Sequence, residues 1–216
     1  MRLMRNLRPR RYSGQSRQRA DSSQTQMERS DDDLCLPLAF RHPRARSLKR
    51  TDDFWKDLLL NNLPLIYQAK VVEDWIDYNG HLRDAFYFLL FSHATDALME
   101  HIGLDAQGRA QHGHTLYTLE AHINYLSEAK LGDQVQVFTQ LVDHDNKRLH
   151  IVHHLYRPFD GELLAASEQM LMNISAEAGR AAKFSGPVEE QITLIFGSHQ
   201  SLPRPGYCSR VIGIRR

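Results

Sequence analysis

Residues 75–103 read WIDYNGHLRDAFYFLLFSHATDALMEHIG, a turn-rich loop running into one long apolar-periodic segment. From Leu82 to Ile102 the apolar residues Phe86, Leu89, Leu90, Ala94, Ala97, Leu98 and Ile102 recur at steps of three and four. That is the period of an amphipathic helix. No proline interrupts it, and Gly103 supplies a stop. At about 1.5 Å per residue the helix spans about 30 Å, enough to run through a core. Just ahead of it, IDYNGH (76–81) is a cluster of turn formers, in which Asp77, Asn79 and Gly80 can each cap the helix or turn the chain. Upstream, IYQAKVVEDW (66–75) alternates loosely and reads as a strand.

Downstream of about residue 114 the period changes to two. Tyr117, Leu119, Ala121, Ile123 and Tyr125 alternate with Thr118, Glu120, His122 and Asn124. Two further alternating runs centre on Val135–Leu141 and Leu149–Tyr156, and a last one covers Leu164–Ile174. Turn formers separate them at Gly132-Asp133, Asp143–Asn146 and Pro158–Gly161. Four successive strands with short turns predict an antiparallel meander. With the first strand this makes a five-stranded antiparallel sheet that must bury one face. The long helix is the only large apolar partner in reach, so the expected class is α+β, with the sheet wrapped around one central helix.

The flanks differ from this body. Residues 1–60 carry a net charge of +6, residues 61–190 a net of −9 and residues 191–216 a net of +4. The expected organisation is a basic, largely disordered extension over 1–60, a folded domain over 61–190 and a flexible basic tail over 191–216, where Pro203 and Pro205 block a helix. The arginine-rich head is compatible with a transit peptide, a nucleic-acid arm or an extension without a role of its own. The acidic body repels phosphates, so no nucleic-acid partner is expected. Mean hydropathy is −0.49, and no apolar run approaches the roughly 20 residues of a membrane helix. No membrane partner is expected. The two cysteines, Cys35 and Cys208, lie near opposite ends, which excludes a disulfide scaffold and a CxxC pair. A cysteine-based zinc site is not expected either, and a reducing, cytoplasmic compartment fits.

The chain lacks GxSxG, GxxxxGK[ST], HExxH and GxGxxG. Of its twelve histidines, His153 and His154 are adjacent in a strand and so face opposite ways, and His112-x-His114 has no matching carboxylate pair. No metal is expected. One compact polar constellation remains: Asp77-Tyr78-Asn79-Gly80-His81, ahead of the long helix. A carboxylate there sits beside free N–H groups and the positive end of the helix dipole, which can stabilise an oxyanion formed from a carbonyl. Gly80 lets a carbonyl approach the backbone. A carboxylate and an oxyanion site suffice for thioester hydrolysis, with Asp77 attacking directly or drawing a proton from water. The alternative is that Asp77 or Asn79 is only a helix cap.

Asp77-x-x-Gly80-His81, followed by a long helix containing Tyr87, resembles the signature of hotdog-fold acyl-CoA thioesterases of the 4-hydroxybenzoyl-CoA thioesterase type. Leu82-Arg83-Asp84 stands where that pattern often has an Asn pair. Over residues 68–188, the blocks GHTLYTLEAHINYLSEAKLGDQV, DNKRLHIVHHLY and ASEQMLMNISAEAGRAA resemble more closely the thioesterases found beside, or fused to, L-carnitine dehydrogenase, which hydrolyse betainyl-CoA. The resemblance implies a hotdog fold, an acyl-CoA substrate and no cofactor. It implies a homodimer or dimer of dimers with the site at the subunit interface, and a functional association with a carnitine dehydrogenase. The implied catalytic set is Asp77, Asn79, Gly80 and His81. A trimethylammonium acyl group calls for an aromatic cage. Trp75, Tyr78 and Tyr117 are its expected members, with Glu120 complementing the charge and His122 beside it on the same face of the strand. Lys130, Lys147, Arg148 and Arg180 are candidates for the CoA phosphates. Two alternatives stay open: a non-catalytic acyl-CoA-binding domain, and a hotdog hydratase. The hydratase pattern Asp-x-Asn-Pro-x-His lacks its proline here, and the His comes one residue early.

Overall fold

The computed structural model describes residues 62–214. The expected extension over 1–60 lies outside them, as does Cys35. Strand β1 (Leu65–Lys70) is followed by a short 3-10 turn (Glu73–Trp75), helix α1 (Asp84–His101) and helix α2 (Ala106–His112). Then come β2 (His114–Tyr125), β3 (Gln134–His144), β4 (Arg148–Arg157), β5 (Glu162–Ser175), the two-residue β6 (Arg180–Ala181) and helix α3 (Gly186–His199).

The expected first strand is cut short. Val71 donates to Asp133 O, and the chain then tightens into the 3-10 turn, so Trp75 is not a strand residue. The long helix begins at Asp84 rather than Leu82, because the amides of Leu82 and Arg83 are committed to Ala129 and Trp75 carbonyls. All strands pair antiparallel, in the order β1-β3-β4-β5-β2, with β6 added against β5. The sheet is therefore not the meander the strand sequence suggests. Only β3, β4 and β5 follow one another through tight turns. The link at 126–133 is long enough to carry the chain past β5 and β4 to β3, so β2 pairs with β5 while β1 takes the other side of β3.

The sheet wraps α1 as the hotdog arrangement requires. Leu90, Phe91 and Ala94 are fully buried against Val137, Leu155 and Leu164. Farther along, Leu98 and Ile102 pack with Leu141, Ile151 and Leu171. A buried polar thread crosses this core: Thr95 Oγ1 lies 3.1 Å from His153 Nε2, and His153 Nδ1 lies 2.8 Å from Thr139 Oγ1. Burial holds the His153 imidazole down to about 3, so it is neutral.

The boundary expected at residue 190 does not hold. Helix α3 runs straight through it and buries Val188, Ile192 and His199. The Val188, Ile192, Ile195 spacing was present in the sequence, but the basic composition masked it. At the end of α3, His199 Nδ1 accepts the Leu141 N–H at 3.0 Å. The tail then crosses to the sheet face that α1 does not cover. Gln140 donates to Pro203 O, Tyr207 Oη lies 2.5 Å from His154 Nδ1, and Ser209 N–H donates to Glu168. His154 is fully buried beneath this strap. The strap also carries Cys208 to His150 and Glu168.

Candidate active site

The loop from Trp75 to Arg83 is closed by its own backbone. Asp77 N–H donates to His81 O, Gly80 N–H to Asp77 O, and Arg83 N–H to Trp75 O, at 2.9–3.1 Å. Gly80 adopts a φ of +81°, which a side chain would strain. The Asp77 carboxylate Oδ1 accepts the N–H of Asn79 at 2.8 Å and that of His81 at 3.1 Å. The His81 N–H, then the Asn79 backbone and side chain, hold the Asp77 carboxyl below the usual carboxylate range. Asp77 is thus an anion fixed at the entrance to α1.

The expected oxyanion donors need correction. The amides of Gly80, His81, Leu82 and Arg83 are all spent, on Asp77 O, Asp77 Oδ1, Ala129 O and Trp75 O. Ala85 N–H goes to Asp84 Oδ1 and Phe86 N–H to Arg83 O. Among the described residues, nothing accepts the Asp84 N–H. No side chain caps α1 through Arg83, so the helix opens with this donor available. The uncommitted amide of the helix end is therefore Asp84 N–H, four residues beyond Gly80.

Several further groups surround this opening turn. Tyr125 Oη donates to Asp84 O at 3.4 Å, and its ring meets Tyr87 edge-on at 5.3 Å. Tyr87 Oη accepts the buried Ala129 N–H at 3.0 Å and donates to Ser127 O, tying the 126–130 segment under the helix. Glu128 Oε2 lies 3.0 Å from His81 Nε2. Beyond Glu128 opens a groove of about 1110 Å³ whose lining includes Ser127, Lys130 and Arg157. Tyr125, Ser127 and Glu128 carried no functional signal of their own in the sequence, because no residue of the YLSEAKLGD block stands out by type.

The expected cage is not assembled within the chain. Trp75 stacks on Phe86 at 5.8 Å and is half-buried against the core. Tyr78 is 95% exposed. Tyr117, Glu120 and His122 face away from α1. Gln169 reaches Thr95 on the helix side, so its neighbours Glu168 and Met170 point to the opposite face, where His122 and Glu120 pair with them across the strands. Simple alternation puts Tyr117 on the other side from Glu120, but the register shift between Thr118 and Glu120 brings both to the outer face. Of the cations considered for CoA, Lys130 lines the groove beside His81. Arg148 is engaged by Asp145 at 2.6 Å in the β3–β4 turn, and Lys147 shares that turn. Arg180 lies exposed in β6.

The family model for the thioesterase-like superfamily matches residues 71–192, from the end of β1 into α3. The betainyl-CoA thioesterase of Pseudomonas aeruginosa is 54% identical over 148 residues, covering 68% of this chain and 93% of that protein. A Rhizobium meliloti protein, L-carnitine dehydrogenase/betainyl-CoA thioesterase, is 34% identical over 70% of this chain, which corresponds to 30% of its own length. A Staphylococcus aureus protein crystallised with CoA is 32% identical and superposes with a TM-score of 0.66, covering 71% of this chain and 97% of that one.

Proposed function

Because the chain belongs to the thioesterase-like superfamily, we propose that it is an acyl-CoA thioesterase acting on betainyl-CoA, with Asp77 as its nucleophile or general base. The observation that carries this reading is the Asp77 carboxylate, held as an anion by loop amides beside a helix whose first N–H is uncommitted. A thioester carbonyl oxygen at Asp84 N–H meets the positive end of α1 as its negative charge grows. Asp77 then attacks the carbonyl carbon, or takes a proton from the water that does. The C–S bond breaks and CoA leaves as a thiolate; where Asp77 attacked directly, water then hydrolyses the resulting Asp77 acyl anhydride, releasing the acid and freeing the carboxylate. This route needs no cofactor.

His81 and Asn79 fix the carboxylate through their amides, and Gly80 permits the turn. The acyl cation is met by the Tyr125 ring and by Trp75 stacked on Phe86, with Asp84 and Glu128 supplying negative charge. Lys130 reaches toward the CoA phosphates from the groove. A homodimer forms through the edge of β2, whose other side carries no strand among the described residues and which exposes Tyr117 and Leu119. Relatives that carry a dehydrogenase and a thioesterase in one chain support a functional association with a carnitine dehydrogenase. No helix among the described residues is long and apolar enough to cross a membrane, and the proposed setting is the cytoplasm. The test is thiol release from a panel of acyl-CoAs by the purified protein. Release from betainyl-CoA supports the reading. Binding of CoA esters without release would leave an acyl-CoA-binding domain, and addition of water across a double bond would make it a hydratase.

A further inference from the structure

The sheet face turned away from α1 carries a second concentration of chemistry that the thioesterase reading does not use. His150 Nε2 lies 2.8 Å from Glu168 Oε1, both side chains being 14% exposed. The C-terminal strap lays Cys208 against them, and one donor atom from each of the three falls within 4.8 Å of the others. No other group of three or more such donors exists among the described residues. The three come from β4, β5 and the strap, so the chain must fold and the tail must dock before they meet.

We propose that His150, Glu168 and Cys208 bind a zinc ion that staples the C-terminal strap to the back of the sheet. Imidazole, carboxylate and thiolate together are a donor set that zinc takes in tetrahedral sites. Glu168 is already oriented for it: Oε2 accepts the Ser209 N–H at 2.7 Å, leaving Oε1 toward His150. Outer hydrogen bonds of this kind hold metal-binding carboxylates in place. Ser209 sits at a φ of +56°, a backbone conformation that a non-glycine residue keeps only when its surroundings hold it there. A fourth position opens on a cavity of about 370 Å³ lined by Glu120, His122 and Met170, where a water can complete the tetrahedron. Charge is balanced. Zinc with one thiolate, one carboxylate and a neutral imidazole is a neutral unit, so Arg204 and Arg210 on the cavity rim do not oppose it. The thiol proton goes to solvent on binding.

The test uses the full, tag-free chain with Co²⁺ as a spectroscopic probe and Zn²⁺ as competitor. One Co²⁺ per chain is expected, with a thiolate-to-metal charge-transfer band that Zn²⁺ removes. Cys208→Ser should abolish the band, and His150→Gln should weaken binding by about tenfold or more. An exposed histidine away from the cluster, exchanged as His101→Ala, should change nothing. Zn²⁺ should also slow tryptic cleavage after Arg210 in the unmutated protein but not in Cys208→Ser. Folded unmutated protein with no charge-transfer band at excess Co²⁺ would overturn the proposal, as would a band of equal strength in Cys208→Ser. The readouts are independent of thioester hydrolysis.

Discussion

Asp77 and His81 close a ring on each other: the His81 N–H donates to the Asp77 carboxylate at 3.1 Å, and the Asp77 N–H donates to the His81 carbonyl at 2.9 Å. The carboxylate is therefore part of the loop's own scaffold as well as its reactive group. Asp77→Asn keeps the size of the side chain and its acceptor oxygen, so the loop should persist while the anion is lost. Turnover should fall by about 10² or more, the scale of a missing base or nucleophile. Thiol-release kinetics beside a circular dichroism melt checks both halves.

The same ring sets a pH expectation. The His81 amide, more than any other group, holds the Asp77 carboxyl below its ordinary value near 3.9. The ionised form is thus present throughout pH 5–8. The kcat/KM profile should show no acid limb in that window from this group, and a limb near pH 6 would mean that another residue is the base.

Tyr87 is the hinge pin between α1 and the 126–130 segment, through the buried Ala129 N–H that its hydroxyl accepts. Tyr87→Phe strands that donor at a cost of about 1–3 kcal/mol. For a domain of this size each kcal/mol lowers the melting temperature by about 2–4 °C. Differential scanning calorimetry reads the loss directly. Activity should fall too, because Leu82 N–H rests on the neighbouring Ala129 carbonyl.

Burial, followed by the neighbouring His154, depresses His153 to about 3, against about 6.5 in an unfolded chain. Between those values the unfolded state binds more protons than the folded one. The contribution of neutral His153 to stability is therefore complete above pH 6.5 and is lost progressively as the pH falls toward 3, at up to about 1.4 kcal/mol per pH unit. Urea unfolding at pH 7.5 and 5.5 should show the unmutated protein losing about 1 kcal/mol more than His153→Gln.

A chain ending at residue 190 should be destabilised rather than merely trimmed. It loses the buried Ile192 side chain, worth at least about 2 kcal/mol, and leaves the Leu141 N–H without its His199 acceptor. Urea midpoints for chains ending at 190 and at 214 give the comparison, and equal midpoints would show that α3 contributes nothing.

The helix and the strands were legible because their apolar periods are undisturbed. Phe86 to Ile102 could only be one face of a helix, and the runs around Val137, Ile151 and Leu171 could only be strands. Strand order was not legible. Whether β2 neighbours β3 or β5 depends on where the link at 126–133 travels, and side-chain period carries no record of that. The misplaced cage has a similarly local cause. One extra residue at the bulge near Leu119 moves Tyr117 to the other face, and alternation cannot register a bulge. At the site, residue type pointed to Asp77 correctly as a loop carboxylate at the helix entrance. It could not reveal that the amides of residues 80–83 are already spent, since those acceptors, Ala129 among them, are distant in sequence.

The betainyl preference is measured as the ratio of kcat/KM for betainyl-CoA to that for 3,3-dimethylbutyryl-CoA, its neutral near-isostere, followed by thiol release. Aromatic rings at Tyr125 and Trp75, with carboxylates at Asp84 and Glu128, should favour the cation by about five- to thirty-fold. Equal values for the two thioesters would contradict the betainyl assignment.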